Sequence, residues 1–187
     1  MAAGVALTDI DSARPAPRQS RSRETPVYTA AALTDLHERT HQSLGQLLDH
    51  CAGFSDAELG RKLEGFGYPT ILLQLHHAIG AEQYWVGVLR GLMLVDEDEA
   101  DHASIDALRA FRERVAGTTS EYLRGTSAAD LNTPATVTTW GDKQADIVPA
   151  HALIRTQTHV FQHQGQIAAM CRLLGRPIPP GLDFPLA

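Results

Sequence analysis

His159-Val160-Phe161-Gln162-His163-Gln164-Gly165-Gln166, continuing through Ile167 to Leu174 and Gly175, reads as a helix with two histidines four residues apart. Four residues is about one helical turn, so both imidazoles project from one face. Two nitrogen donors stacked this way can share a metal ion. Spacing alone is weak evidence. Nine histidines scattered over 187 positions give about 0.4 such pairs by chance, and this chain has two. The other pair is His37 and His41. What separates them is which pair faces the core and whether a third ligand can join it.

Helical phase answers the first question. His159, His163, Gln166, Met170 and Leu174 fall in one narrow stripe, which Ala152 and Thr156 extend upstream. The later pair therefore faces inward. Pro149 opens this helix as a first-turn proline, and Gly175 closes it before Pro177. His37 lies beside Leu33 and Leu44 on a helix expected from about Thr29 to Ala52, and His41 sits at the edge of that stripe. Both read as flanking or partly buried polar positions, with ligation as the alternative.

A helix expected over about 70–92 supplies the third imidazole. It carries the doublet His76-His77. His77 shares a face with Leu73, Ala81, Tyr84 and Val88, while His76 shares one with Gln83, Gly87 and Arg90. Phase turns His77 inward and His76 outward. Gly80 and Ala81 leave open space one turn past His77, and Tyr84 reads as a core aromatic with its hydroxyl at the rim, with a hydroxyl reaching into a pocket as the alternative. Glu82 lies off the His77 face and reads as a flank charge or an outer partner of the site. Pro69 is placed in the first turn of this helix.

The rest of the chain frames these helices. Residues 1–27 read as a disordered N-terminal arm rich in Ser, Pro, Ala and Arg, and residues 28–187 as one domain. Ser55 is expected to cap a short turn with Glu58. The acidic run from Asp96 to Asp101 lacks the register of a calcium loop and reads as a solvated connection. A helix from about Ser104 to Leu123 follows, with Ser104 as its cap. Residues 135–148 change to a strand period around Gly141 and read as a β-hairpin anchored by Trp140. The tail, with Leu182, Phe184 and Leu186, is expected to lie along the helices. The fold class is all-α: a four-helix bundle with a small β-hairpin before the last helix and an extended C-terminal tail.

Composition narrows the function classes. A net charge of −6 leaves no basic footprint for nucleic acid. No apolar run approaches the roughly 18 residues of a membrane helix, and no apolar h-region marks a secretory signal. A cytoplasmic location is expected, with Cys51 and Cys171 reduced there. The bland reading of His77, His159 and His163 is three core histidines hydrogen-bonded to backbone, water and Gln166. The sharper one is a divalent metal centre, zinc or nickel by donor type, with positions open for water, thiolate or substrate.

The residues also carry a resemblance. His77-Ala-Ile-Gly-Ala-Glu-Gln-Tyr-Trp85, then His159-x3-His163-Gln-Gly-Gln-Ile and Leu-Leu-Gly175-Arg-Pro, resemble the DinB-like, or YfiT-like, metalloenzyme superfamily. This is the helical family, not the polymerase that shares its name. The resemblance spans about residues 30–187. It implies a four-helix bundle with a three-histidine metal site, whose roles fall on His77, His159 and His163. It further implies a thiol-dependent S-transferase or isomerase acting on small electrophiles in detoxification or stress, with a low-molecular-weight thiol as cosubstrate. A non-catalytic metal-binding stress protein and a metal-dependent hydrolase are the alternatives. Tyr84 and Gln166 would orient the ligand. A small-molecule substrate is expected, with no nucleic acid or membrane partner. The resemblance also implies a homodimer, and a second apolar strip, Leu72, Leu75, Ile79 and Val86, is compatible with one.

Overall fold

The computed structural model describes residues 26–93 and 98–186. Most of the expected arm, together with Asp96 and Glu97 of the acidic connection, lies outside the described residues. Six α-helices and one hairpin follow in chain order: α1 (Ala30–Cys51), α2 (Asp56–Leu59), α3 (Ile71–Leu89), α4 (Ile105–Gly125), α5 (Ala128–Asn132), β1 (Ala135–Thr139), β2 (Lys143–Ile147) and α6 (Pro149–Leu173).

The four long helices form the expected bundle. α3 packs on α4 and α6, and α1 packs on the same two. α1 and α3 therefore face each other across one diagonal. Every long helix has two packed neighbours, which bears directly on its polar residues. One core cluster is built around Leu44, Leu48, Leu75, Phe111 and Ile167, and a second around Leu33, Val86, Leu123 and Leu153. Cys51 and Cys171 are fully buried, adjacent and unbridged.

Local chemistry sets the helix ends. Thr29, Ser55, Thr70, Ser104 and Ser127 are extended N-cap residues whose side chains accept first-turn amides. Ser55 and Glu58 form a full capping box. Thr70 corrects the expected start of α3. Pro69 precedes the cap instead of occupying the first turn, and the Thr70 hydroxyl accepts from Leu73 N at 3.1 Å. Helix α5 had no counterpart in the sequence reading, because five residues carry too little periodicity to register. At the end of α6, Gly175 takes φ +80, Gly175 N donates to Arg172 O and Arg176 N to Cys171 O. This is a Schellman stop, which only a residue free to adopt positive φ forms without strain.

The hairpin pairs Ala135 with Ile147 through Thr139 with Lys143 around a turn in which Gly141 and Asp142 have positive φ. Trp140 anchors it although it is itself largely exposed. Its ring stacks on Tyr84 at 5.4 Å, and its backbone N–H donates to the Tyr84 hydroxyl at 3.1 Å. The tail runs along the bundle as expected. Buried Gln164 accepts from Ser43 and donates to Leu182 O, Arg39 donates to Pro185 O, and Phe184 meets Phe161 edge-on.

The second apolar strip of α3 is not a free surface. Leu75, Ile79 and Val86 are almost wholly buried within the chain, and Leu72 packs against the same core. The strip offered as a dimer surface is thus consumed inside the bundle.

Thr70→Ala should cost about 1 kcal/mol, the usual range for losing a hydroxyl N-cap. Urea unfolding of the variant measures this directly.

Candidate metal centre

His77 on α3 and His159 and His163 on α6 converge where these two helices pack. Their candidate ligand atoms all lie within 4.8 Å of one another. The Nε2 atoms of His77 and His159 stand 3.1 Å apart. The His163 ring lies 4.8 Å from that of His77 and 4.4 Å from that of His159. Without an ion, one of the two facing Nε2 atoms must hold a proton and donate it to the other. An ion between them would instead use both lone pairs.

The third ring is oriented by Gln74, one turn before His77 on α3 and fully buried. The Gln74 side-chain N–H groups donate to the Tyr68 carbonyl and to Gln166 Oε1, both at 2.9 Å. Because the Tyr68 carbonyl can only accept, this fixes which end of the amide is oxygen. Gln74 Oε1 therefore faces His163, and His163 Nδ1–H donates to it at 2.5 Å. The proton is held on Nδ1, which leaves the Nε2 lone pair bare. Such an outer hydrogen bond is the usual support for a metal-ligating imidazole. Tyr68 contributes twice, since its ring also stacks on His77 at 4.0 Å.

Protonation is suppressed across the group. Burial, then the charge of His159, pushes His77 down to about 4. Burial, then the charges of His159 and His77, pushes His163 down to about 4. Burial, then Arg155, lowers His159. At neutral pH all three offer lone pairs.

A cavity of about 460 Å3 opens over the centre. His77 and His159 line it, as do Gly80, Ala81, Tyr84, Trp85, Trp140 and Arg155. Buried His163 is not part of the lining. The open space expected beyond Gly80 and Ala81 is thus present, and a Cβ added at Gly80 would meet nothing within 4 Å. Among the described residues the group has three members and no fourth His, Cys, Asp or Glu.

A second group could also hold a metal ion: His37 and His41 from α1 with Glu82 from α3, all buried. The structure thus keeps His37 and His41 apart from His77. It also corrects their expected position, and that of Glu82, from the flank to the core. His37 Nε2 and His41 Nε2 donate to the two Glu82 oxygens at 2.9 Å, and Thr119 donates to Oε1 at 2.6 Å. Burial alone would raise the Glu82 carboxyl. The His41 charge, then the hydrogen bonds from His37 and His41, outweigh it and hold the carboxyl below its ordinary range.

Two features separate this group from the first. Nδ1 of both His37 and His41 is buried without a hydrogen-bond partner, so the outer support that His163 has is missing here. Arg112, which donates to His41 O at 2.7 Å, also already brings positive charge toward Glu82. A divalent ion added there would be repelled by that guanidinium.

The family model of the DinB superfamily matches residues 39–167. The chain belongs to the DinB superfamily. The match includes His77, His159, His163, Gln74 and Arg155, while His37 falls just before it. A search of curated proteins finds no match. In this DinB-superfamily chain, no helix among the described residues is long and apolar enough to cross a membrane.

Other sequence-stated residues fall differently. Gln166 lies beside the centre, but its carbonyl accepts from Gln74, so it supports His163 at one remove. The Tyr84 hydroxyl is engaged by the hairpin, while its ring lines the cavity. His76 is half-buried, packed 4.9 Å from the His102 ring and 5.6 Å from Phe111 on α4. Gln74, Tyr68 and Arg155 were not singled out from sequence. For Gln74 the signal was present, as the one polar residue in Ile71-Leu-Leu-Gln-Leu75, three before His77.

Gln74→Leu should weaken metal binding about 10–100-fold, the usual effect of losing such an outer partner. Competition with a chromogenic chelator measures it. The depressed histidine pKa values also fix a pH window. Between about 6.5 and 4 the unfolded chain takes up protons that the folded site refuses. The metal-free protein should lose thermal stability as pH falls through that window. Bound metal should persist at about pH 6 and be released as pH approaches 4. Thermal melts and metal analysis across pH test both.

Proposed function

We propose that this chain is a metal-dependent enzyme that binds a small-molecule thiol at His77, His159 and His163 and transfers or rearranges its sulfur bond to a small electrophile. The observation that supports this is the placement of an all-imidazole group at the wall of a cavity large enough for such a ligand. A divalent ion such as zinc or nickel, when bound, supplies Lewis acidity that favours thiolate over thiol at neutral pH.

The chain's own residues define the rest. Gln74 keeps the His163 Nε2 lone pair free. Tyr68 stacks on His77 and limits its ring rotation. Tyr84, Trp85 and Trp140 form aromatic walls that displace water and leave room for an apolar electrophile. The thiol proton passes to solvent through the open mouth of the cavity. The sulfur then forms its bond to an electrophilic carbon as the leaving group departs. A closed structural site would call for a fourth protein ligand, and an open three-ligand site beside a cavity favours the enzyme.

Metal analysis of tag-free protein is the first test. Wild type should retain metal, and His77→Ala and His163→Ala should each lose it. Metal that survives both substitutions but disappears in Glu82→Gln would place the ion in the second group and refute this reading. A panel of low-molecular-weight thiols with monochlorobimane then tests the reaction. Conjugation should require metal and vanish in His163→Ala. Hydrolysis of esters or amides without any thiol dependence would favour a hydrolase.

A further inference from the structure

Arg155 stands four residues before His159 on α6, so the two side chains project from the same side of the helix. It lines the cavity over the three histidines. Its guanidinium carbon lies 5.6 Å from the centre of the Trp85 ring. Among the described residues it makes no ion pair, unlike Arg39 and Arg109, each of which holds a carboxylate. Among the described residues, the charged side chains on the cavity wall are Arg155 and Glu99, and Glu99 also borders a shallower recess with His76 and His102.

We propose that Arg155 is the anion-recognition group of this cavity, and that the ligand brought to the three-histidine centre carries a carboxylate. The proposal rests on the thiol reading above and names the substrate class for it. Three physical points carry it. A guanidinium presents a planar fork of N–H donors that matches a carboxylate in two parallel bonds. Stacking on Trp85 orients that fork without using any of its N–H groups. Arg155 is exposed at the cavity wall and holds no carboxylate among the described residues, so an incoming anion can reach its guanidinium without displacing a protein counter-ion.

Geometry limits the ligand further. Side chains at i and i+4 leave the helix about 5–6 Å apart. The carboxylate and the metal-seeking atom must therefore be joined by a short spacer of a few carbons. 3-Mercaptopropionate has this layout, and 2-mercaptoethanol is a neutral thiol of similar size. Glu99 makes a second negative group on the ligand unfavourable.

The test uses full-length protein loaded with Co(II), whose sulfur-to-metal charge-transfer absorption reports thiol binding without turnover. Wild type should bind 3-mercaptopropionate about tenfold more tightly than 2-mercaptoethanol. R155Q, at unchanged cobalt content, should bind the two about equally. R155K should retain part of the preference, since it keeps the charge but loses the fork. A preference that is the same in wild type and R155Q overturns the proposal. If neither thiol changes the spectrum, the thiol reading fails by itself, and benzoate titrated calorimetrically against benzamide decides Arg155. Benzoate binding weakened about tenfold in R155Q, with benzamide unaffected, supports the role. Benzoate binding that is absent or insensitive to R155Q overturns it.

Discussion

Helix α3 is packed on both sides, by α4 and by α6, yet it carries two fully buried polar side chains, Gln74 and Glu82. A buried polar group without a partner costs about 1–3 kcal/mol, so each has to be answered from other parts of the chain. Gln74 is answered by Tyr68, His163 and Gln166, and Glu82 by His37, His41 and Thr119. The register of α3 against its neighbours follows from these two sets of bonds. A slip by one residue would leave both groups unpaired at once. Apolar packing drives the bundle together, but it would tolerate such a slip far better.

The two histidine clusters show how the same spacing serves opposite ends. Both pairs are four residues apart, and in each the ring centres lie 4.4 Å from one another. In the first, a glutamine takes the outer proton of His163 and leaves an inner lone pair open beside a cavity. In the second, the inner Nε2–H groups are spent on a carboxylate, with no comparable cavity at hand. The third group in each cluster makes the difference. An imidazole leaves lone pairs converging, whereas a carboxylate accepts protons and closes the network into a tie between α1, α3 and α4.

The hairpin and the tail extend the site outward from the bundle. Trp140 reaches back to Tyr84, so β1 and β2 become part of the cavity wall instead of a free appendage. Gln164, next to His163 in sequence, faces the other way and holds the tail at Leu182. One turn of α6 thus serves the three-histidine group on one side and the chain terminus on the other. Fold and site are therefore not separable along this helix.

The sequence by itself determined the bundle, the hairpin, the Schellman stop at Gly175 and the three converging histidines. Periodicity, capping chemistry and glycine placement are local properties, and they read directly from residues three or four apart. Only the tertiary structure decided the fates of His76, Glu82, His37 and His41. Phase analysis assumes one buried face per helix, and α3 has two, so a residue opposite His77 is still inside the protein. The same assumption misread Leu75, Ile79 and Val86 as a spare surface. Gln74 and Arg155 required the structure for another reason. A polar side chain's role depends on which donor, acceptor or ring it meets across the fold, and those partners lie 89 residues away for Gln74 with His163 and on a different helix for Arg155 with Trp85.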